Sequence, residues 1–225
     1  MRNQPIYCFL SLLLLSFRCS ETPTHPEYYY CANLVSLLGV NDSIPVISFD
    51  YSLDPYSLIE ENSDLFSASS CEHDVKFGLK LPDKSIIRVT YRYMCDTNII
   101  VCGPPWIEIN LTKDGVLRLG NKQIETDSLQ SIILAEKAEF RWDEIHFGWS
   151  YGTSINRIQE VFNEIIAAQV AFASKSSQLI NAKDICSLDS VGIEKLREYG
   201  SMEIYLEIGD SWIMPEINYD LIKVD

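Results

Sequence analysis

The stretch from residue 107 to residue 173 constrains the fold most, because its periodicity switches repeatedly between that of a strand and that of a helix. Ile107, Ile109 and Leu111 alternate with Glu108, Asn110 and Thr112, the period-two mark of a strand with one buried side. Asp114-Gly115 supplies a hairpin turn, since glycine takes positive φ at no steric cost. Residues 116–119 return, and Gly120-Asn121 turns the chain again before Gln123-Ile124. Thr126 suits an N-cap with Asp127 in the first helical turn, and Leu129, Ile132 and Ile133 fall on one helical face. Ile145, Phe147 and Trp149 then alternate with His146 and Gly148 as another strand. Ser154 can cap a second helix with the stripe Ile155, Ile158, Val161, Phe162, Ile165 and Ile166. A strand over residues 170–173 is expected to close the unit. The order β-β-α-β-α-β specifies an α+β fold, a small sheet with two helices on one face.

Flanking segments extend this core. Val75, Phe77, Leu79 and Leu81 alternate with polar positions and Gly78, Pro82-Asp83 turns, and Ile87, Val89, Tyr91 and Tyr93 alternate again. With a short strand over 99–102, this predicts a β-meander with one buried face. Gly103-Pro104-Pro105 interrupts it as the best linker in the chain. Residues 21–74 are the least regular, with a short helix expected over 28–38 on Leu34, Leu37 and Leu38. Toward the other end, residues 191–199 read as a helix closed by Gly200. Met202, Ile204, Leu206 and Ile208 then alternate toward a Gly209-Asp210 turn and a return over 212–217, a C-terminal β-hairpin. The expected division is a signal peptide at 1–20, an irregular region and meander at 21–103, the α+β domain at 104–177, and the helix-hairpin extension at 178–225.

The first residues have the build of a secretory signal: Arg2, then an apolar run over 6–17 dominated by Leu12 to Leu15. That run falls short of the roughly 20 apolar residues a membrane span needs. The chain is therefore expected to be exported, to the periplasm or outer envelope. Ser20 and Thr22 offer a cleavage site, and Cys19 is the candidate lipidation site, although Arg18 precedes it where a lipobox has a small residue. Net charge is −14 and 47% of residues are hydrophobic. A folded polyanion of this kind is repelled by phosphate backbones, which argues against nucleic-acid binding. Seven cysteines occur, and in an oxidising compartment they pair. Cys95 with Cys102 is the expected local bridge and Cys31 with Cys71 the second, leaving Cys186 free; spacing alone does not fix the connectivity. A metal site on Cys71, His73 and a distant cysteine is the rival use of those residues.

The run Ile107-Glu108-Ile109-Asn110-Leu111-Thr112-Lys113-Asp114-Gly115-Val116-Leu117-Arg118-Leu119, followed by Gln123-Ile124 and the helix with Leu129, resembles the opening of the periplasmic domain of the ExbD/TolR family. The strand leading to Tyr151-Gly152, an amphipathic helix and a closing strand extend the resemblance over residues 106–175. It implies that fold and a habit of binding envelope partners or the cell wall. Family members carry a membrane-spanning helix with a motor aspartate, whereas the apolar run here is short and lacks a carboxylate, so the motor function is not carried over. The family aspartate before Tyr-Gly is also replaced, by Phe147-Gly148-Trp149-Ser150.

Chemistry-bearing patterns are sparse. The histidines are His25, His73 and His146; His25 lies in a proline-rich leader and His146 is expected to face solvent from its strand. The nucleophile elbow, the zinc-protease motif, the phosphate-binding loop and the dinucleotide fingerprint are all absent from the sequence. Asp50, Asp54, Glu60, Glu61 and Asp64 lack the alternation and central glycine of a calcium loop and read as a solvated surface. Trp142, Trp149 and Trp212 could form a sugar-stacking surface, but core positions suit them better. The sequons at Asn41 and Asn110 read as incidental. The expected function is a non-enzymatic envelope protein without cofactor or metal, binding an envelope protein or the cell wall, with a homodimer compatible. The alternative is a secreted hydrolase that acts on an extracellular polymer through carboxylates the sequence does not single out.

Overall fold

In six strands the odd-numbered side chains supply the core-facing apolar surface, and in the other two the even-numbered ones do; this parity decides which side of the sheet becomes the core. The computed structural model describes residues 31–38, 44–67, 74–92, 106–140, 144–198 and 202–208, all within the unit Cys31–Asp225. Its strands are β1 (Val46–Ser48), β2 (Val75–Lys80), β3 (Ile86–Tyr91), β4 (Ile107–Leu111), β5 (Leu117–Leu119), β6 (Lys122–Ile124), β7 (Glu144–Trp149) and β8 (Glu203–Glu207). They form one mixed sheet in the order β1-β2-β3-β8-β7-β4-β5-β6. The pairs β2–β3, β4–β5 and β5–β6 are antiparallel, and β8 lies parallel to both β3 and β7. The fold is thus mixed α/β, with a larger sheet than the sequence suggests.

Helices α1 (Ala32–Leu38), α2 (Tyr56–Glu61), α3 (Ser63–Phe66), α4 (Leu129–Phe140), α5 (Ile155–Asn181) and α6 (Ser190–Glu198) complete the described structure with two 3-10 turns. Leu58 and Phe66 from α2 and α3, Leu129 and Ile133 from α4, and Ile158, Val161, Phe162 and Ile165 from α5 join one core. That core includes Phe77, Val89, Ile109, Phe147 and Leu206 of the sheet. Aromatic edges lock it: Phe162 meets Phe147 at 4.8 Å and 88°, and Phe66 meets Phe77 at 5.4 Å and 89°. Among the described residues the other face of the sheet receives no helix. A hairpin turn forms where Asp114-Gly115 predicts one, centred one residue earlier on Lys113-Asp114, with Gly115 at φ +77° donating to the Thr112 carbonyl.

Three expectations change. Residues 170–173 are not a strand; they lie inside α5, which runs unbroken for 27 residues. The run Ala167-Ala168-Gln169-Val170 continues the helical stripe, with no glycine or proline before the helix ends at Ala182 in left-handed conformation. Beside β7 the sheet position is taken instead by β8. The irregular region is more ordered than it reads, since it contributes β1, parallel to β2, with Phe49 and Tyr51 packed on Trp149. Finally, Cys31 lies at disulfide distance from Cys186, with Cα atoms 5.6 Å apart, so Cys186 is not free and Cys31 does not pair with Cys71. The cause is a second small core on the far half of α5, where Leu34 and Leu37 of α1 meet Val170, Ile185, Leu188, Ile193 and Leu196. The signal run with Cys19, Cys71, Cys95 and Cys102, His25 and His73, Trp142 and Trp212, the strand over 99–102, the linker and the return over 212–217 lie outside the described residues.

Candidate functional site

Because side chains alternate along a strand, the residues between the core positions gather on the helix-free face. Register places Glu108 of β4, His146 of β7 and Tyr205 of β8 side by side across three strands. Thr90 of β3 stands next to Tyr205. At this point planar groups form a row. The His146 ring stacks on Trp106 at 5.2 Å and on Tyr205 at 4.9 Å, with interplanar angles of 28° and 14°. The guanidinium of Arg92 extends the row, 4.6 Å from the Tyr205 ring centre. Cations and electron-rich rings in such an order attract one another.

Carboxylates edge the row. The Nδ1 of His146 bonds to Glu207, and its Nε2 lies 3.0 Å from Glu144 Oε2. Arg92 grips Asp74 with two bonds of 2.9 and 3.0 Å and reaches Glu144 at 3.4 Å. Tyr205 Oη accepts a bond from Arg92 at 3.0 Å and lies 3.2 Å from Asp74 and 3.4 Å from Glu203. Lys76 closes the set on Glu203 at 2.8 Å. Gly148 makes room at the far end: a Cβ there would stand 3.0 Å from Glu207 Cβ, 3.1 Å from the Glu207 carbonyl oxygen and 3.4 Å from Asn110 Oδ1.

The protonation states follow from this packing. For His146, burial is the strongest single effect and opposes charge. The bonds to Glu207 and Glu144 together outweigh it and raise the pKa above the ordinary histidine value. Two carboxylate acceptors on opposite nitrogens require the doubly protonated ring, since a neutral imidazole has a single N–H. Burial, reinforced by the Glu144 charge, pushes the Tyr205 phenol well above its usual range, so it stays neutral. The hydrogen bond from Arg92 holds the Asp74 carboxyl below its usual range against the cost of burial.

Parity correctly puts His146 on the strand face opposite Ile145 and Phe147, but the side chain does not face solvent: it is only 4% exposed. Trp149 is core, as expected, with 7% exposure. The acidic residues Asp50 and Asp54 cap local turns through the backbone amides of Ser52 and Tyr56. Among the described residues no group of His, Cys, Asp or Glu is arranged to hold a metal ion, and no helix is long and apolar enough to cross a membrane. The carboxylates Asp74, Glu144, Glu203 and Glu207 are the residues sequence reasoning does not single out. Glu203 and Glu207 carry the signal of a position between apolar strand residues, whereas Asp74 and Glu144 stand at strand starts with no such signal. The set acquires meaning only once β3, β8 and β7 are known to be neighbours. The comparisons with protein-family models and with curated proteins both found no match to this chain.

Proposed function

We propose that the protein is an exported, non-enzymatic binding or scaffolding module of the cell envelope. Its helix-free sheet face would be the contact surface for an envelope protein or the cell wall. The observation that carries this reading is the partly exposed cluster of Arg92 and Lys76 with Asp74, Glu144 and Glu203, ranged beside the stacked rings of Trp106, His146 and Tyr205 on the face no described helix covers. Aromatic rings, an amide at Asn110 and charges of both signs suit a polar polymer or a protein surface. Both nitrogens of His146 are committed to carboxylates, which leaves this ring without the free lone pair a general base needs. The resemblance of residues 106–175 to the ExbD/TolR periplasmic domain supports the same class of role.

The test is retention of the mature chain on purified peptidoglycan and on immobilised envelope extract. Retention on one of them is expected, lost in Arg92→Glu and kept in Lys175→Glu on the exposed side of α5. Retention on neither, or equal retention of both variants, refutes the proposal.

A further inference from the structure

His146 is placed where loss of one proton has a structural consequence. Water has little access to the ring, and its bonding is supplied by Glu144 of its own strand and Glu207 of the neighbouring one. These two carboxylates are not equivalent. Glu144 has a second cation, Arg92, at 3.4 Å. Glu207 has a side chain 12% exposed, and among the described residues His146 is its one charged partner. An imidazolium serves both carboxylates. A neutral ring has one N–H, so it leaves one acceptor facing a bare lone pair and leaves the Glu207 carboxylate with no counter-charge among the described residues.

We infer that His146 is a proton-operated latch, tying the end of β8 to β7 through Glu207 while charged and releasing that end when neutral. The surrounding groups fix its sense. Glu108 of β4 stands directly across from the ring, with its carboxylate accepting from Asn110 at 2.7 Å. Tyr205 and Glu203 face it from β8, Arg92 from the end of β3, and Asp74 and Lys76 from β2 beyond. Trp106 and Tyr205 present ring faces that attract a cation and have no such attraction for a neutral imidazole. Carboxylates and rings alike therefore favour the charged latch, with burial as the opposing force. Gly148 completes the device: it leaves space for Glu207 to lie flat across β7.

The latch does not depend on which partner the face takes, so its test uses the full chain alone. The imidazole resonances of His146 are followed by NMR from about pH 5 upward. Amide hydrogen exchange in residues 203–207 is recorded over the same range and corrected for the intrinsic base-catalysed rate. Protection of β8 should be lost in step with His146 deprotonation. Glu207→Gln keeps the shape of the acceptor without its charge, so it should move both midpoints to lower pH together. His146→Gln should show β8 protection that is low and independent of pH. Should that variant not fold, Glu207→Gln decides the matter alone. Protection that stays constant while His146 titrates, or a midpoint unmoved by Glu207→Gln, overturns the proposal.

Discussion

Replacing Cys31 and Cys186 together by serine asks whether helix α1 holds its place without a covalent tie. The two cysteines are 155 residues apart in sequence, and for a loop that long chain-entropy reasoning assigns the bridge about 5 kcal/mol. The contacts of α1 itself are modest. Leu34 and Leu37 are buried to 4% and 8% exposure, and Asn33 donates to the carbonyls of Ile185 and Leu188 at 2.9 and 2.8 Å. Arg197 also donates to the carbonyl and hydroxyl of Ser36 at 3.4 and 3.0 Å, an exposed contact that water largely replaces. At about 1.5–3 kcal/mol per buried leucine and about 0.5–1.5 per bond from Asn33, the contacts of α1 contribute about 4–9 kcal/mol. Ordering the seven residues of α1 costs about 7–14 kcal/mol at about 1–2 per residue. The shortfall, about 4 kcal/mol, is close to what the bridge supplies, so α1 should undock when the bridge is removed. A double-mutant cycle in urea denaturation reads this directly. In the bridged protein Leu34→Ala should cost about 2–5 kcal/mol; in the double-serine background it should cost almost nothing. An equal cost in both backgrounds would show that α1 docks on its own contacts and that the reasoning is wrong.

Gly148→Ala should destabilise by about 1–3 kcal/mol, because the new methyl meets the backbone oxygen of Glu207 at 3.1 Å. It should also lower the His146 midpoint as Glu207 is pushed aside; a stability and midpoint equal to wild type would contradict the contact. Phe162→Ala empties the centre of the core, where the ring is fully buried against Phe147, and should cost about 3–5 kcal/mol in denaturant titration. A loss under about 1 kcal/mol would mean the site collapses freely. Stability should also peak in mildly acidic solution. The raised pKa of His146 contributes stability fully present below its ordinary value of 6.5 and lost as pH rises through the folded value. The lowered pKa of Asp74 contributes stability present above 3.8 and lost as pH falls through its folded value. Urea midpoints that go on rising above neutrality would be inconsistent with the His146 assignment, and midpoints that hold steady on acidification below 3.8 with that of Asp74.

What could be read from sequence divides by distance along the chain. The β4–β5 hairpin and β7 are legible because alternation and the Lys113-Asp114-Gly115 turn are local signals. The far half of α5 is not. Val170 and Phe172 favour strands, and only the uninterrupted stripe through Ala167, Ala168 and Ala173 outweighs them. His146 shows the limit most clearly. Its strand and face follow from parity, whereas its burial and charge depend on Tyr205 and Glu207, some sixty residues later. No local pattern announces that β8 will lie parallel to β7. The bond between Cys31 and Cys186 escapes for the same reason, since it follows from the docking of α1 on α5. β1 is three residues long, too short to carry a period.

The position of β8 also sets when the molecule can finish folding. β1, β2 and β3 join β7, β4, β5 and β6 through this strand, which is the last of the described strands in chain order and lies between the two groups. Until residues 203–207 are in place, the two groups present the unpaired edges of β3 and β7 to each other and to other chains. Contacts of such long range form slowly, and open edges of this kind are templates for aggregation. A chain cut after α6 should therefore yield two adhesive part-sheets and insoluble material, with no working fragment. β8 acts as a keystone: its insertion closes both edges and assembles the His146 face in one event.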